Sequence, residues 1–174
     1  MSSGFVYWIT GLAGAGKTTI GSALHAQLLD LGRRGVFLDG DRLREVFGGQ
    51  FGYSIEERRH LAMCYARMCK MLADQGCDVV CATVSMFADV RAWNRENIPG
   101  YREIYIVAPE EHLHERRAFY KDPQATHHVV GLKSGYELPT NPDVIIHNDA
   151  RTPPEQLVQQ LLNELFARSP QARA

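Results

Sequence analysis

Two hydrophobic rhythms alternate along the chain. Short, nearly continuous apolar runs at Phe5–Thr10, Val36–Leu38, Asp78–Val84, Ile104–Val107 and Val144–Ile146 predict strands buried on both faces. Between them the apolar positions fall at helical spacing. Ile20, Ala23, Leu24, Leu28 and Leu31 mark a helix from Lys17 to about Leu31, stopped by Gly32. Leu61, Tyr65, Met68 and Leu72 mark a longer one from Ile55 to Gln75, closed by Gly76. Further helical segments precede and follow the fourth strand, and the last runs from Glu155 to Ala167. Strands alternating with helices predict an α/β fold, with a mostly parallel central sheet, right-handed crossovers and helices on both faces.

Ligands of such sheets sit beyond the carboxyl ends of the strands. That rule gathers on one rim the glycine-rich segment after the first strand, Asp39 to Asp41 after the second and Ser85 after the third. The first of these reads Gly11-Leu12-Ala13-Gly14-Ala15-Gly16-Lys17-Thr18, followed by Thr19, and matches G-x-x-x-x-G-K-[ST] in full. With a strand before it and a helix after it, this is a P-loop, or Walker A motif. Its glycines let backbone N–H groups converge on phosphate oxygens while the helix directs its positive end at the same charge. Lys17 is expected to reach the β and γ phosphates of ATP, and Thr18 to ligate Mg2+.

A P-loop reports triphosphate binding rather than its use. A guanine-reading N-K-x-D motif is absent from the sequence, as is a strand ending in Asp-Glu of the sort that activates water. Both absences favour a kinase over a nucleotide switch or motor, and the acidic and basic residues on the same rim are more than a nucleotide sensor needs. A kinase acting on a hydroxyl needs one carboxylate near the metal and one to orient or deprotonate the attacking group. On an extended strand end, Asp39 and Asp41 would project to one side; Asp39 is assigned to the metal and Asp41 to the hydroxyl. Arg42 and Arg44, Arg58 and Arg59, and Arg116 and Arg117 supply candidate anion clamps. Residues from about 110 to 138 carry Arg116, Arg117, Lys121, His127, His128 and Lys133, with Gly131 and Gly135 as hinges, and predict a lid that excludes water.

Composition narrows the class. The 174 residues suit one domain, placed at 1–168 with a flexible tail at 169–174; 45% are hydrophobic and 22% charged, as in a packed globular protein. A net charge of −1 argues against nucleic acid as partner, and no stretch approaches the roughly 20 apolar residues of a membrane span. The N-terminus has no basic region before its apolar run, so a cytoplasmic enzyme with a small nucleotide substrate is expected. Cys64, Cys69, Cys77 and Cys81 form no C-x-x-C pair and read as free thiols. His112 with His114, and His127 with His128, lack the i, i+4 spacing of ligands on one helix face.

From Trp8 to about Asp149 the chain resembles the adenylyl-sulfate kinase family. The resemblance is carried by the segment from Ile9 to Ile20, by Leu38-Asp-Gly-Asp-Arg-Leu-Arg44, by Gly52-Tyr-Ser-Ile-Glu-Glu-Arg58, by Ser85 and by Asn141-Pro-Asp143. It implies a P-loop kinase-like three-layer sandwich and transfer of the ATP γ-phosphoryl to the ribose 3′-hydroxyl of adenylyl sulfate, with magnesium as the metal. It makes Arg44 and Arg58 contacts to the acceptor's anionic groups, in a substrate site with Asp41, Phe51, Tyr53, Ser85, Met86 and Phe87, and it suggests a homodimer. Ser85 matches the position the family labels a phosphoserine intermediate, although in-line transfer needs no enzyme nucleophile and the residue reads better as a substrate contact. The chain also departs from the family. Ser85-Met-Phe-Ala88 stands where the family has S-P-Y-R, Leu61 and Met63 replace Asn and Arg, and the lid lacks K-G-L-Y. The Ser-Met-Phe form with Arg91-Ala-Trp-Asn-Arg-Glu-Asn97 resembles a branch of surface-polysaccharide pathways that includes cytidine diphosphoramidate kinase, which makes a related nucleotide the alternative acceptor.

Overall fold

A computed structural model describes residues 3–48, 50–111, 113 and 136–167. Its strands are β1 (Val6–Thr10), β2 (Gly35–Asp39), β3 (Asp78–Ala82), β4 (Tyr101–Val107) and β5 (Val144–His147). They form one sheet in the order β2-β3-β1-β4-β5, with every neighbouring pair parallel. The helices are α1 (Lys17–Asp30), α2 (Gly40–Val46), α3 (Ile55–Asp74), α4 (Ala88–Asn97) and α5 (Pro154–Ala167), and Glu110, Glu111 and Leu113 are also helical.

Alternation along the strands sorts the core into two layers. Tyr7 and Ile9 of β1 and Val80 and Ala82 of β3 join Ile20, Leu24 and Leu28 of α1 and the apolar face of α5. Val6 and Trp8, with Val79 and Cys81, face α3 and α4 through Leu61, Tyr65, Cys69 and Val90. The three-layer sandwich follows, because a strand with both faces apolar must be covered twice. Leu24 and Leu28, at most 1% exposed, each contribute roughly 1.5–3 kcal/mol relative to solvent exposure.

Two boundaries differ from expectation. β3 ends at Ala82 instead of Val84, with Thr10 Oγ1 donating to the Val84 carbonyl at 2.7 Å as the chain leaves the sheet. β4 begins at Tyr101, three residues early, because Glu103 is buried there as an ion-pair partner of Arg91 and Arg95. Of the four thiols, Cys69 and Cys81 are buried and Cys64 and Cys77 partly so, and all are free. Burial and a neighbouring thiol push Cys81 up, with the Cys69 hydrogen bond the largest cause. The histidines weighed as metal ligands, the lid cations and the tail lie outside the described residues; of the expected lid, Glu110, Glu111, Leu113 and Tyr136–Leu138 lie within them. Among the described residues no helix is long and apolar enough to cross a membrane.

Candidate active site

β1 lies between β3 and β4, so the chain leaves it at the point where the strand order reverses, and the crevice beyond its carboxyl end is the ligand position of such a sheet. The loop from Gly11 to Gly16 fills that crevice. Gly14 and Gly16 adopt φ of 84° and 94°, a left-handed backbone that other residues rarely take. Gly16 caps α1 without a side chain, and the first turn of α1 carries no acidic residue. Two other helix starts are served differently: Asp39 caps α2, and Ser54 with Glu57 forms a capping box on α3. The positive end of α1 thus faces the cavity without a capping carboxylate of its own, as an anion seat requires. Asn148, buried at the end of β5, steadies the loop by donating from Nδ2 to the Ala15 carbonyl at 2.8 Å. Lys17 Nζ donates to the Leu12 carbonyl at 2.8 Å, which holds the ammonium over the loop.

The aspartates are arranged differently from the extended strand end expected of them. β2 stops at Asp39 and α2 starts at Gly40, so Asp39 is a helix cap and Asp41 lies in the first helical turn. Asp39 Oδ1 accepts from the backbone N–H of Asp41 at 3.0 Å and of Arg42 at 3.3 Å, and Oδ2 accepts from Thr18 Oγ1 at 2.7 Å. The cause is local: Asp is among the best capping residues, and after a strand it offers its carboxylate to the next amides. The two carboxylates still share the cavity wall, Asp39 buried and Asp41 exposed.

That cavity, about 600 Å3 in volume, is continuous from the phosphate loop to an opposite wall of Arg44, Arg58, Ser85, Phe87 and Tyr136. The expected residues Ala13, Gly14, Gly16, Lys17, Thr18, Thr19, Asp39, Asp41, Arg44, Arg58, Ser85 and Phe87 all line it. Gly11, Leu12 and Ala15 do not; they form the loop's supporting side. Met86 is also absent from the wall, being fully buried, and only its carbonyl is used, accepting from Glu137 N. Phe51 packs on Phe47 and His60 outside the cavity. Tyr53, half exposed and not part of the cavity lining, holds the Arg44 and Arg58 guanidiniums over its ring at 4.6 and 5.2 Å. Arg44 also donates to the carbonyls of Phe51 and Gly52, and Arg58 to the Tyr53 carbonyl and the Tyr136 hydroxyl. These contacts fix both forks before any anion arrives.

Ser85 Oγ and Thr83 Oγ1 lie 2.7 Å apart, two buried alcohols in one hydrogen bond. Tyr65 donates to the Gly40 carbonyl and is pushed up chiefly by burial, so it stays a neutral donor beside the acids. The Tyr136 hydroxyl is likewise raised by burial, against the lowering influence of Arg58. No motif or spacing in the chain marks Tyr136, Thr83 or Tyr65 as cavity residues. Asn148 was within reach of the rim rule, since it directly follows β5, whereas Tyr136 is brought in by chain folding from 78 residues beyond Arg58.

The residues present suit a magnesium ion. Thr18 and Asp39 set one neutral and one anionic oxygen side by side next to the phosphate seat, the small protein share of a shell otherwise made of water and phosphate. Among the described residues no cluster of three or more His, Cys, Asp or Glu forms a protein-only metal cage.

The chain is similar to known proteins. The family described as adenylylsulphate kinase matches residues 3–147. A cytidine diphosphoramidate kinase of Campylobacter jejuni is 35% identical over 92% of this chain and 96% of its own length. An adenylyl-sulfate kinase of Myxococcus xanthus is 36% identical over 87% and 85%. The structure of the Mycobacterium tuberculosis APS kinase CysC in complex with AMPPNP and APS superposes with a TM-score of 0.83 at 27% identity, covering 95% of this chain and 99% of that one.

Proposed function

Since the chain belongs to the adenylyl-sulfate kinase family, we propose that this ATP-dependent kinase phosphorylates the ribose 3′-hydroxyl of adenylyl sulfate. The observation that carries the proposal is the single cavity with a phosphate loop at one end and two pre-set arginines at the other. Its two ends suit two nucleotides meeting end to end, the donor's γ-phosphate near Lys17 and the acceptor's anionic groups near Arg44 and Arg58.

Each side chain then has a task that its surroundings support. The loop amides and Lys17 hold the triphosphate and gather charge as it shifts toward the bridging oxygen. Thr18 and Asp39 would hold magnesium, which when bound neutralises the phosphate oxygens and aligns them. Asp41, exposed to the cavity and free of the capping role that occupies Asp39, orients the acceptor hydroxyl and takes its proton. Ser85 contacts the substrate: its partner is another alcohol, which cannot deprotonate it into a nucleophile.

A second reading has its own support. Ser85-Met86-Phe87 departs from the family's S-P-Y-R, and the cytidine diphosphoramidate kinase of Campylobacter jejuni aligns over nearly its whole length. A cytidine diphosphoramidate-like acceptor would use the same donor end and the same arginines. A coupled assay with ATP and magnesium, offering adenylyl sulfate and cytidine diphosphoramidate in turn, separates the two. Turnover of adenylyl sulfate comparable with the better acceptor supports the first reading, and none at all overturns it. ATP consumption without any acceptor should be slight; rapid hydrolysis would point to a switch or motor instead.

A further inference from the structure

Five contacts bind the segment Tyr136–Leu138 to the start of α4 and the residues just before it. Arg91, only 7% exposed, donates from Nη1 to the Glu137 carbonyl at 2.8 Å and from Nη2 to the Leu138 carbonyl at 3.3 Å. Glu137 N donates to the Met86 carbonyl at 2.9 Å. The Glu137 carboxylate accepts from Ala88 N at 2.6 Å, supplying from 49 residues away the cap that Phe87, the N-cap of α4, does not provide. Finally, the Phe87 and Tyr136 rings meet at 5.2 Å between centroids.

Behind this junction stands Glu103. Its carboxylate lies 3.1 Å from Arg91 Nε and 2.8 Å from Arg95 Nη2, the two arginines being one turn apart on α4. Arg95 in turn grips the Asn141 carbonyl and Asp143. The outgoing segment is therefore held at two points by one helix whose cations are locked by a buried strand carboxylate. A buried ion pair costs desolvation that a well-packed apolar pair would avoid, so its gain here is geometric: a planar fork aimed at two carbonyls. That geometry reaches the cavity through the placement of Tyr136 between Phe87 and Arg58.

We propose that Arg91 is a positioning residue, and Tyr136 the acceptor-binding residue it sets: through Glu103 and Glu137 it holds the Tyr136 ring against Phe87, forming the aromatic wall on which the acceptor nucleotide is seated. The inference rests on the two-nucleotide reading of the cavity. Arg91 touches neither nucleotide; its effect runs through Tyr136 and is confined to the acceptor end.

The test is a set of variants, Arg91→Lys, Glu137→Ala, Tyr136→Ala and the double variant Arg91→Lys with Tyr136→Ala, assayed with ATP against adenylyl sulfate and cytidine diphosphoramidate. Arg91→Lys keeps a cation for Glu103 but lacks the fork, and should raise the acceptor KM by about tenfold while the ATP KM stays within about twofold. Glu137→Ala, at an exposed position that leaves the core intact, should act in the same direction. In the Tyr136→Ala background Arg91→Lys should add less than about twofold, because the pathway is already cut. Unchanged acceptor KM, equal rises for ATP and acceptor, or fully additive effects would each overturn the proposal. Hydrogen exchange of the ligand-free protein reads the pinning without any acceptor: Arg91→Lys should speed exchange at 86–88 and 136–138 and leave the phosphate loop unaltered, and unchanged exchange there overturns it. Were the unmutated enzyme to phosphorylate neither acceptor, the functional reading would fail while the exchange result still decided the pinning.

Discussion

Thr18 Oγ1 donates to Asp39 Oδ2 across 2.7 Å, joining the first turn of α1 to the end of β2 from 21 residues away. The same carboxylate caps α2 through its other oxygen, so its structural and chemical duties can be separated. Asp39→Asn keeps an oxygen for the α2 amides and should change stability by no more than about 0.5 kcal/mol, since Asn caps as well as Asp. It loses the charge beside the metal position, and turnover should fall by about 100-fold. Asp39→Ala should lose the cap as well, at about 1 kcal/mol. Denaturant titration with steady-state kinetics checks both, and wild-type turnover in the asparagine variant would remove Asp39 from the metal's neighbourhood.

Lys17→Ala should nearly abolish transfer, by at least about 100-fold, because the transferring phosphoryl loses its cation. The melting temperature should barely move, as the ammonium donates to a loop carbonyl rather than packing in the core. Single-turnover kinetics and a thermal melt decide; full activity would show that the loop amides alone suffice.

Asp41→Asn is expected to lower turnover by about 100-fold while ATP affinity, read by calorimetry, stays within about threefold. Asp41 sits in the first turn of α2 and caps nothing, so a loss of binding as large as the loss of rate contradicts its assignment to the acceptor hydroxyl.

Ser85→Ala should retain turnover within about tenfold, since removing a contact costs less than removing a nucleophile. Mass spectrometry of quenched enzyme should find no phosphoserine at this position. Abolished transfer together with a trapped phosphoserine would restore the covalent route.

Acid should loosen the α3 start. Glu57 is held below its ordinary 4.5 first by the Ser54 hydroxyl, then by the Gly52 and Ser54 amides. A lowered folded value means that its stabilisation is present above about 4.5 and is lost as pH falls through the folded value. The melting-temperature advantage of the wild type over Glu57→Gln should therefore shrink as the solution is acidified. A difference that is constant with pH would show that the carboxylate's charge contributes nothing to the box.

The strand and helix order, the parallel sheet and the phosphate loop were all legible in the chain, because each rests on local spacing. Apolar runs need burial on both faces, and Gly14 and Gly16 permit a backbone that few other residues can adopt at low cost. The rim rule extended this to Asp39, Asp41 and Ser85 because strand ends in a parallel sheet share one side. What no local pattern contained is the conversion of Asp39-Gly-Asp41 from strand end to helix cap, the burial of Met86, and the arrival of Tyr136 beside Phe87 and Arg58. Those depend on contacts between residues tens of positions apart, whose energies arise only once the layers have packed. Sequence specified the glycine loop and helix start proposed to hold phosphate; the packing of α4 against the returning segment decided what stands opposite them.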